Sequence, residues 1–281
     1  MTDKGVNPLK KTHTLSGRIA AYPHIFWMIL FIILPLLFVV YFAFTTTDGS
    51  FTLDNIFALS EHTQTFVLSV SLSVIATFFC FLLGYPLAYI MARETIRGQK
   101  ILMMLLMLPM WTNLLIRTYS MMAIMDDGGI LNAILSYFHL GKVHLIGTKG
   151  AVIFGMAYDF FPYMVLPLYT VISKLDKSLL EAAADLGCSH IKVLARVILP
   201  LSTSGIVSGI TMVFVPSIST FYISQKLGGG TFDLLGDTIE RQFQNINTYN
   251  TGAAISLVMM LLVLASLWLM NRFSGSEGGN D

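Results

Sequence analysis

Six long apolar runs, almost empty of charge, constrain this chain more than any motif in it. They cover residues 26–44, 65–91, 101–125, 151–172, 201–223 and 252–270. A bilayer core about 30 Å thick needs roughly 20 apolar residues in a helix that rises about 1.5 Å per residue, and each run meets that length. The chain has 17 Lys and Arg and 16 Asp and Glu, yet only Arg117 and Asp159 fall inside the runs. Hydrocarbon imposes that exclusion, because it offers no water to a charge or an unpaired backbone group. Charged residues make up 12% of the whole, against about 25% in an ordinary soluble domain. These features exclude a disordered chain, a nucleic-acid-binding module and an ordinary soluble enzyme. They predict an all-α polytopic membrane protein with six transmembrane helices.

Lys and Arg in the connecting segments set the expected orientation. Lys4, Lys10, Lys11, Arg18, Arg93, Arg97, Lys100, Lys174, Lys177, Lys192, Arg196 and Arg272 fall on one side, and Lys142, Lys149, Lys226 and Arg241 on the other. Both termini and the segment after the fourth run are therefore expected to be cytoplasmic. The first run is too long for a signal-peptide core and no small-residue cleavage site follows it, so it is expected to remain. The organisation read from the sequence is a tail at 1–25, a single six-helix domain at 26–270 with a cytoplasmic segment at 173–200, and a tail at 271–281. Cys80 lies in a run and Cys188 in the cytoplasmic segment, so they are not expected to pair.

Catalytic patterns are missing. No G-x-x-x-x-G-K-[ST] loop occurs, so ATP hydrolysis is not expected in this chain. The run Gly228-Gly229-Gly230 lacks the following Lys and reads as a flexible connector. The six histidines are scattered over tails and loops, which argues against a metal centre, and no G-x-S-x-G nucleophile elbow is present. Transport remains. One intramembrane Asp is a thin basis for a carrier driven by an ion gradient.

The cytoplasmic segment carries the most specific signal. Ser178-x-x-Glu181 has the form of a capping box, Leu179, Ala182, Ala183 and Leu186 recur at helical spacing, and Gly187 is a natural left-handed stop. Ser189 can cap a second helix that runs to Leu199-Pro200. On spacing alone this is a short helix, a turn and a second helix entering the fifth run, which also describes an ordinary amphipathic loop on the membrane surface.

Glu181-Ala182-Ala183, Gly187 and Val197-Ile198-Leu199-Pro200 resemble the "EAA" loop of ABC importer permeases, E-A-A-x3-G-x9-I-x-L-P, with Val197 in place of the first Ile. Further stretches are similar to the polyamine (spermidine/putrescine) permeases of that family. These are Leu83-Gly-Tyr-Pro-Leu-Ala88, Trp111-Thr-Asn-Leu-Leu-Ile-Arg117, Pro162-Tyr-Met-Val-Leu-Pro-Leu-Tyr169, Lys174-Leu-Asp-Lys177 and Phe221-Tyr-Ile-Ser224. The resemblance implies a type I ABC importer fold in a bacterial cytoplasmic membrane. It implies a second homologous permease, two ATPase subunits that bind ATP and Mg, and an extracytoplasmic polyamine-binding protein. No cofactor would belong to this chain itself. Glu181, Ala182, Ala183, Asp185 and Gly187 would be the coupling contacts to the ATPase.

The two intramembrane charges have two readings. Arg117 and Asp159 are able to pair with each other, with Arg117 also near enough to the end of its run to reach outward. Alternatively, Asp159, flanked by Tyr158 and Tyr163, would meet an ammonium group of a passing cargo through its carboxylate and aromatic faces, with Trp111 beside the path. Outside the membrane, Asp233, Asp237 and Glu240 recur at i, i+4 and i+7. They are expected as an acidic stripe facing outward, opposite Leu235, Ile239 and Phe243. Residues 130–140 are expected to form an interfacial helix over the pore mouth. Gly205-x-x-x-Gly209 is expected to bring two helices close.

Overall fold

The computed structural model describes residues 15–176, 178, 179, 183 and 188–274. Among these residues the architecture is helical, and the β feature is one isolated bridge between Thr45 and Phe51. Helices α1 (Leu15–Met28) and α2 (Leu34–Ala43) join through a π-turn at Ile29–Ile33. The short α3 (Asp54–Phe57) leads through a 3₁₀ turn into the long α4 (Thr63–Arg93). Then follow α5 (Ile96–Met107), α6 (Leu114–Met125), α7 (Ile130–Tyr137) and α8 (Lys149–Ile172). The short α9 (His190–Val193) and α10 (Leu199–Leu201) flank a π-turn at Leu194–Ile198. Beyond them lie α11 (Thr203–Ser219), α12 (Tyr222–Leu227), α13 (Leu235–Gln244) and α14 (Tyr249–Ser274).

By length and composition four helices are able to cross a membrane, and six are if each of two bent pairs counts as one span. The apolar run 101–125 is not one straight helix. Ile96–Trp111 and Leu114–Tyr137 are bent by 92° to each other. Pro109 lacks an N–H and sits in a 3₁₀ turn, Thr112 is extended, and the Asn113 side chain caps α6 by accepting the Leu115 N–H at 2.8 Å. The run 201–223 likewise stops at Ser219, where Thr220 is extended before α12 begins. Apolarity hid both breaks, although Pro109 and Asn113 carry the ordinary signals for a helix stop and a helix start.

The core lies where α4, α8 and α11 cross. Cys80, Tyr85, Ala88 and Met91 of α4 bury against Met164, Val165, Leu168 and Ile172 of α8 and Val213 of α11. Small residues set the spacing. A Cβ on Gly205 would stand 3.1 Å from the Pro167 carbonyl, and one on Gly209 would stand 2.7 Å from Met164 Sδ and 3.1 Å from its carbonyl. The expected close helix pair is therefore α11 on α8. At the periphery, α2 packs its last turn on α14, and none of the residues in the most apolar stretch of Tyr22–Ala43 is buried. Cys80 and Cys188 are both free. The glycine run closes as a turn, with φ of 56° at Gly229 and 72° at Gly230, a backbone region that glycine enters without steric cost.

Candidate functional site

The segment after α8 is anchored at both ends. At its start the Asp176 carboxylate accepts the Ser178 N–H at 3.0 Å and the Asp176 carbonyl accepts the Leu179 N–H. This hydrogen bond holds the Asp176 carboxyl below the usual carboxylate range, and Glu181, the other half of the expected Ser178 capping box, lies outside the described residues. Ala183 is buried in the main core cluster with Leu175 and Cys188 packed beside it, and the Cys188 N–H reaches the Ala183 carbonyl at 3.1 Å. Glu181, Ala182, Asp185 and Gly187 lie outside the described residues.

The far end of the segment meets the core at a bend of 68° between Leu194–Leu201 and Thr203–Ser219. Buried Ser202 sits in that bend, bonded to Tyr85 Oη of α4 at 2.9 Å while its hydroxyl donates to the Leu199 carbonyl at 3.1 Å. One hydroxyl therefore ties the entry to the fifth run onto the second. A second tie nearby runs from Tyr169 Oη, which donates to Gln99 Oε1 at 2.9 Å. Sequence reasoning missed both; Tyr85 lay in a stretch noted for its resemblance, but nothing local pointed to Ser202.

Within the apolar interior, the structure brings Arg117 and Asp159 together. Arg117 Nε lies 2.6 Å from Asp159 Oδ1, and the side chains are 12% and 1% exposed. Arg117 Nη1 also donates to the Pro109 carbonyl at 3.1 Å. The guanidinium thus bridges the break between α5 and α6 to the middle of α8, supplying a donor to a carbonyl that the break sets free. The contact is an ion pair without hydrogen-bond geometry: neither Arg117 Nε nor either Asp159 carboxylate oxygen has a hydrogen-bond partner among the described residues.

The aromatic candidates are more open. Tyr158 lines an apolar groove of about 610 Å³ between α4, α5 and α8, shared with Phe79, Leu83, Leu105, Pro109 and Phe154. Trp111, at the break itself, is 73% exposed and does not line that groove. Tyr163 is partly exposed and packs at a tilt against Phe160, with ring centroids 6.3 Å apart.

On the other face of the molecule, the three acidic residues do not form one outward stripe. Asp237 is 5% exposed and turned inward. Its Oδ1 accepts from Ser224 Oγ at 2.9 Å and its Oδ2 from the Leu234 N–H at 2.8 Å. The latter is the reach-back of a capping-box carboxylate to its helix start. Asp233 pairs with Arg241 at 2.7 Å, and Glu240 takes hydrogen bonds from Gln225 and Gln244. The i, i+4, i+7 spacing predicts one helical face, but Asp233 precedes α13, so helical geometry does not extend to it. In α7, Asn132 is buried and bonds the backbone of Val143 in both directions, while Ile130, Ile134 and Phe138 are exposed. Among the described residues no group of His, Cys, Asp and Glu has the arrangement of a metal site.

Burial raises the Asp237 carboxyl to about 6, against the hydrogen bonds from Leu234 and Ser224 that favour its ionised form. A raised carboxyl pKa stabilises the folded loop below the unfolded value and loses that contribution as pH climbs through 6. Amide exchange over residues 234–244, corrected for intrinsic pH dependence, is expected to be slower at pH 5 than at pH 7.5. Asp237→Asn should flatten that difference; an unchanged difference would assign it to another group.

Long apolar helices, two of them bent pairs, around three central helices define a polytopic membrane protein, and the comparisons give its class. Residues 84–276 match the family described as the binding-protein-dependent transport system inner membrane component. The chain is 38% identical over 259 residues to the spermidine/putrescine transport system permease protein PotB of Escherichia coli K12, covering 88% of this chain and 94% of that protein. It is 37% identical over 256 residues to PotB of Haemophilus influenzae, covering 88% and 90%. A crystal structure of a bacterial ABC transporter involved in import of the acidic polysaccharide alginate superposes with a TM-score of 0.79 at 17% identity. The match covers 93% of this chain and 96% of that one. The same transporter in complex with an alginate pentasaccharide-bound periplasmic protein gives 0.78 at 17% identity, covering 92% and 93%. The chain belongs to the family of inner membrane components of binding-protein-dependent transport systems. It is an ABC importer permease, a transport subunit of a family that is not enzymatic.

Proposed function

We propose that this permease conducts polyamines, spermidine or putrescine, as half of the pore of an ABC importer. The observation that carries the reading is the 38% identity to a spermidine/putrescine permease, extending over 88% of this chain. In this reading each bent pair is one span, giving six spans with both termini cytoplasmic, as the Lys and Arg distribution favours. A second, homologous permease completes the pore, two ATPase subunits bind ATP and Mg, and a polyamine-binding protein delivers cargo from outside.

The segment at 173–200 is the coupling element, with Glu181, Ala182, Ala183, Asp185 and Gly187 as its contacts to the ATPase. The ties described above support this role. Asp176 caps the segment's start, Ala183 is seated in the core, and Ser202 with Tyr85 joins its end to the second span. A push on so anchored an element moves α11 against α4. Along the path, Trp111, Tyr158 and Tyr163 offer aromatic faces to an alkylammonium, while the negative charge of Asp159 is balanced by Arg117. The outer acidic residues Asp233 and Glu240, in partly solvated pairs, add a negative field that draws cations.

The test is to purify the assembled complex gently and measure ATP turnover with and without spermidine and the binding protein. Polyamine-stimulated turnover supports the reading. A co-purifying ATPase that ignores polyamines would keep the importer and replace the cargo with another small solute. Gly187→Leu is expected to abolish uptake while the chain still inserts and assembles; normal uptake by that variant would sink the coupling assignment.

A further inference from the structure

At the end of α12 an ammonium is held between two tyrosine rings. Lys226 Nζ lies 5.2 Å from the ring centroid of Tyr119 on α6 and 5.7 Å from that of Tyr222 on α12. The two rings are 6.1 Å apart and inclined at 80°, so they form adjoining walls that share one cation. Tyr222 and Lys226 are one turn apart on the same helix, but Tyr119 comes from a different span, which makes the arrangement tertiary. The three ion pairs among the described residues are Arg117 with Asp159, His144 with Asp127 and Arg241 with Asp233, and Lys226 is in none of them. The carboxylates of α13 are engaged elsewhere, Asp237 by Ser224 and Leu234, Glu240 by Gln225 and Gln244. Two aromatic rings and the Tyr119 hydroxyl, not a carboxylate, hold this ammonium. Tyr119 remains 47% exposed and Lys226 half-buried, so the site is open to solution.

We propose that Tyr119 and Tyr222 form a binding site for a primary alkylammonium at the outer mouth of the permease, and that Lys226 occupies it as a tethered surrogate. The identification of the natural occupant rests on the polyamine reading above. A lysine side chain is a four-carbon chain ending in a primary ammonium, the same chemistry as the end of an aliphatic polyamine. Aromatic faces attract a cation through the ring quadrupole, and the Tyr119 hydroxyl that accepts from Lys226 is able to accept equally from another primary ammonium, so one exchanges for another. The backbone that carries Lys226 is fixed by the Ser224–Asp237 hydrogen bond, which leaves the side chain as the moving part. A cargo ammonium that enters displaces Lys226 into solvent, and one lacking this chemistry does not.

The proposal is tested on the wild-type complex in membranes by acylating its lysines with an amine-reactive reagent and following Lys226 by mass spectrometry. Exposed Lys142 on the same side serves as the internal reference. Spermidine is expected to raise the labelling rate of Lys226 relative to Lys142 by about threefold to thirtyfold, the range that such cation–π contacts span. Magnesium chloride at matched ionic strength should not. Labelling that spermidine leaves unchanged or slows would overturn the site. ATP turnover measured in the same samples separates the two readings. Turnover stimulated by spermidine with unchanged labelling removes the site and keeps the cargo. Enhanced labelling without stimulated turnover keeps the site and removes polyamine as the cargo.

Discussion

Asp159→Leu is expected to cost about 3–5 kcal/mol of stability, the usual penalty for breaking a buried ion pair and leaving one charge uncompensated. Here the orphaned group is Arg117, 12% exposed and held 2.6 Å from the carboxylate it would lose. Expression in membranes and resistance to unfolding in mixed micelles should both fall sharply. The double variant Arg117→Met with Asp159→Leu should recover most of the loss, because replacing both members of a buried pair by apolar groups is often neutral. Part of the deficit should persist, since Arg117 also serves the Pro109 carbonyl at the break. A double variant as unstable as the single one would show that the pair is not the interaction being broken. Once stable, the double variant also answers the transport question. Uptake at the wild-type rate would remove Asp159 from the cargo pathway, and a folded complex without uptake would keep it there.

Gly209→Leu should be the next most damaging change. Even a Cβ at this position would meet Met164 Sδ at 2.7 Å and the Met164 carbonyl at 3.1 Å. The sulfur end of a methionine is able to move, but the backbone carbonyl of a packed helix is not. Overpacking of this sort costs about 1–3 kcal/mol and sometimes more. The expected result is a chain that inserts but unfolds at lower denaturant than wild type, with Gly209→Ala intermediate. Equal stability of all three forms would show that α8 and α11 have slack at this crossing.

Composition made the membrane class legible, and the resemblance of the EAA stretch to ABC importer permeases made the subunit type legible, because the exclusion of charge by hydrocarbon and the EAA stretch are both patterns local in sequence. The breaks at Pro109 and Thr220 were not legible in the same way. A long apolar run satisfies a bilayer whether its helix is straight or bent, so hydropathy cannot distinguish the two. The pairing of Arg117 with Asp159 was one of two open readings, since sequence separation says nothing about which side chains face each other across a bundle. The acidic residues near α13 were misplaced for a related reason. Periodicity assumes that the helix covers all three, and the helix begins after Asp233. Tyr222 lay in a stretch noted for its resemblance, but nothing local joined Tyr222 and Lys226 to Tyr119, which comes from a helix about a hundred residues away.

The first helix has a consequence for how freely such a chain can change. The most apolar stretch of Tyr22–Ala43 buries no residue against its own chain, so most of its side chains are asked only to prefer oil to water. Many orderings of Leu, Ile, Phe and Val meet that demand equally well. Positions such as Gly209 and Asp159 tolerate single changes poorly. Within the chain itself, the information that specifies this fold is therefore concentrated in a few small and charged residues at helix crossings, and a shuffled order of the apolar residues between 25 and 38 should insert and fold as the natural order does.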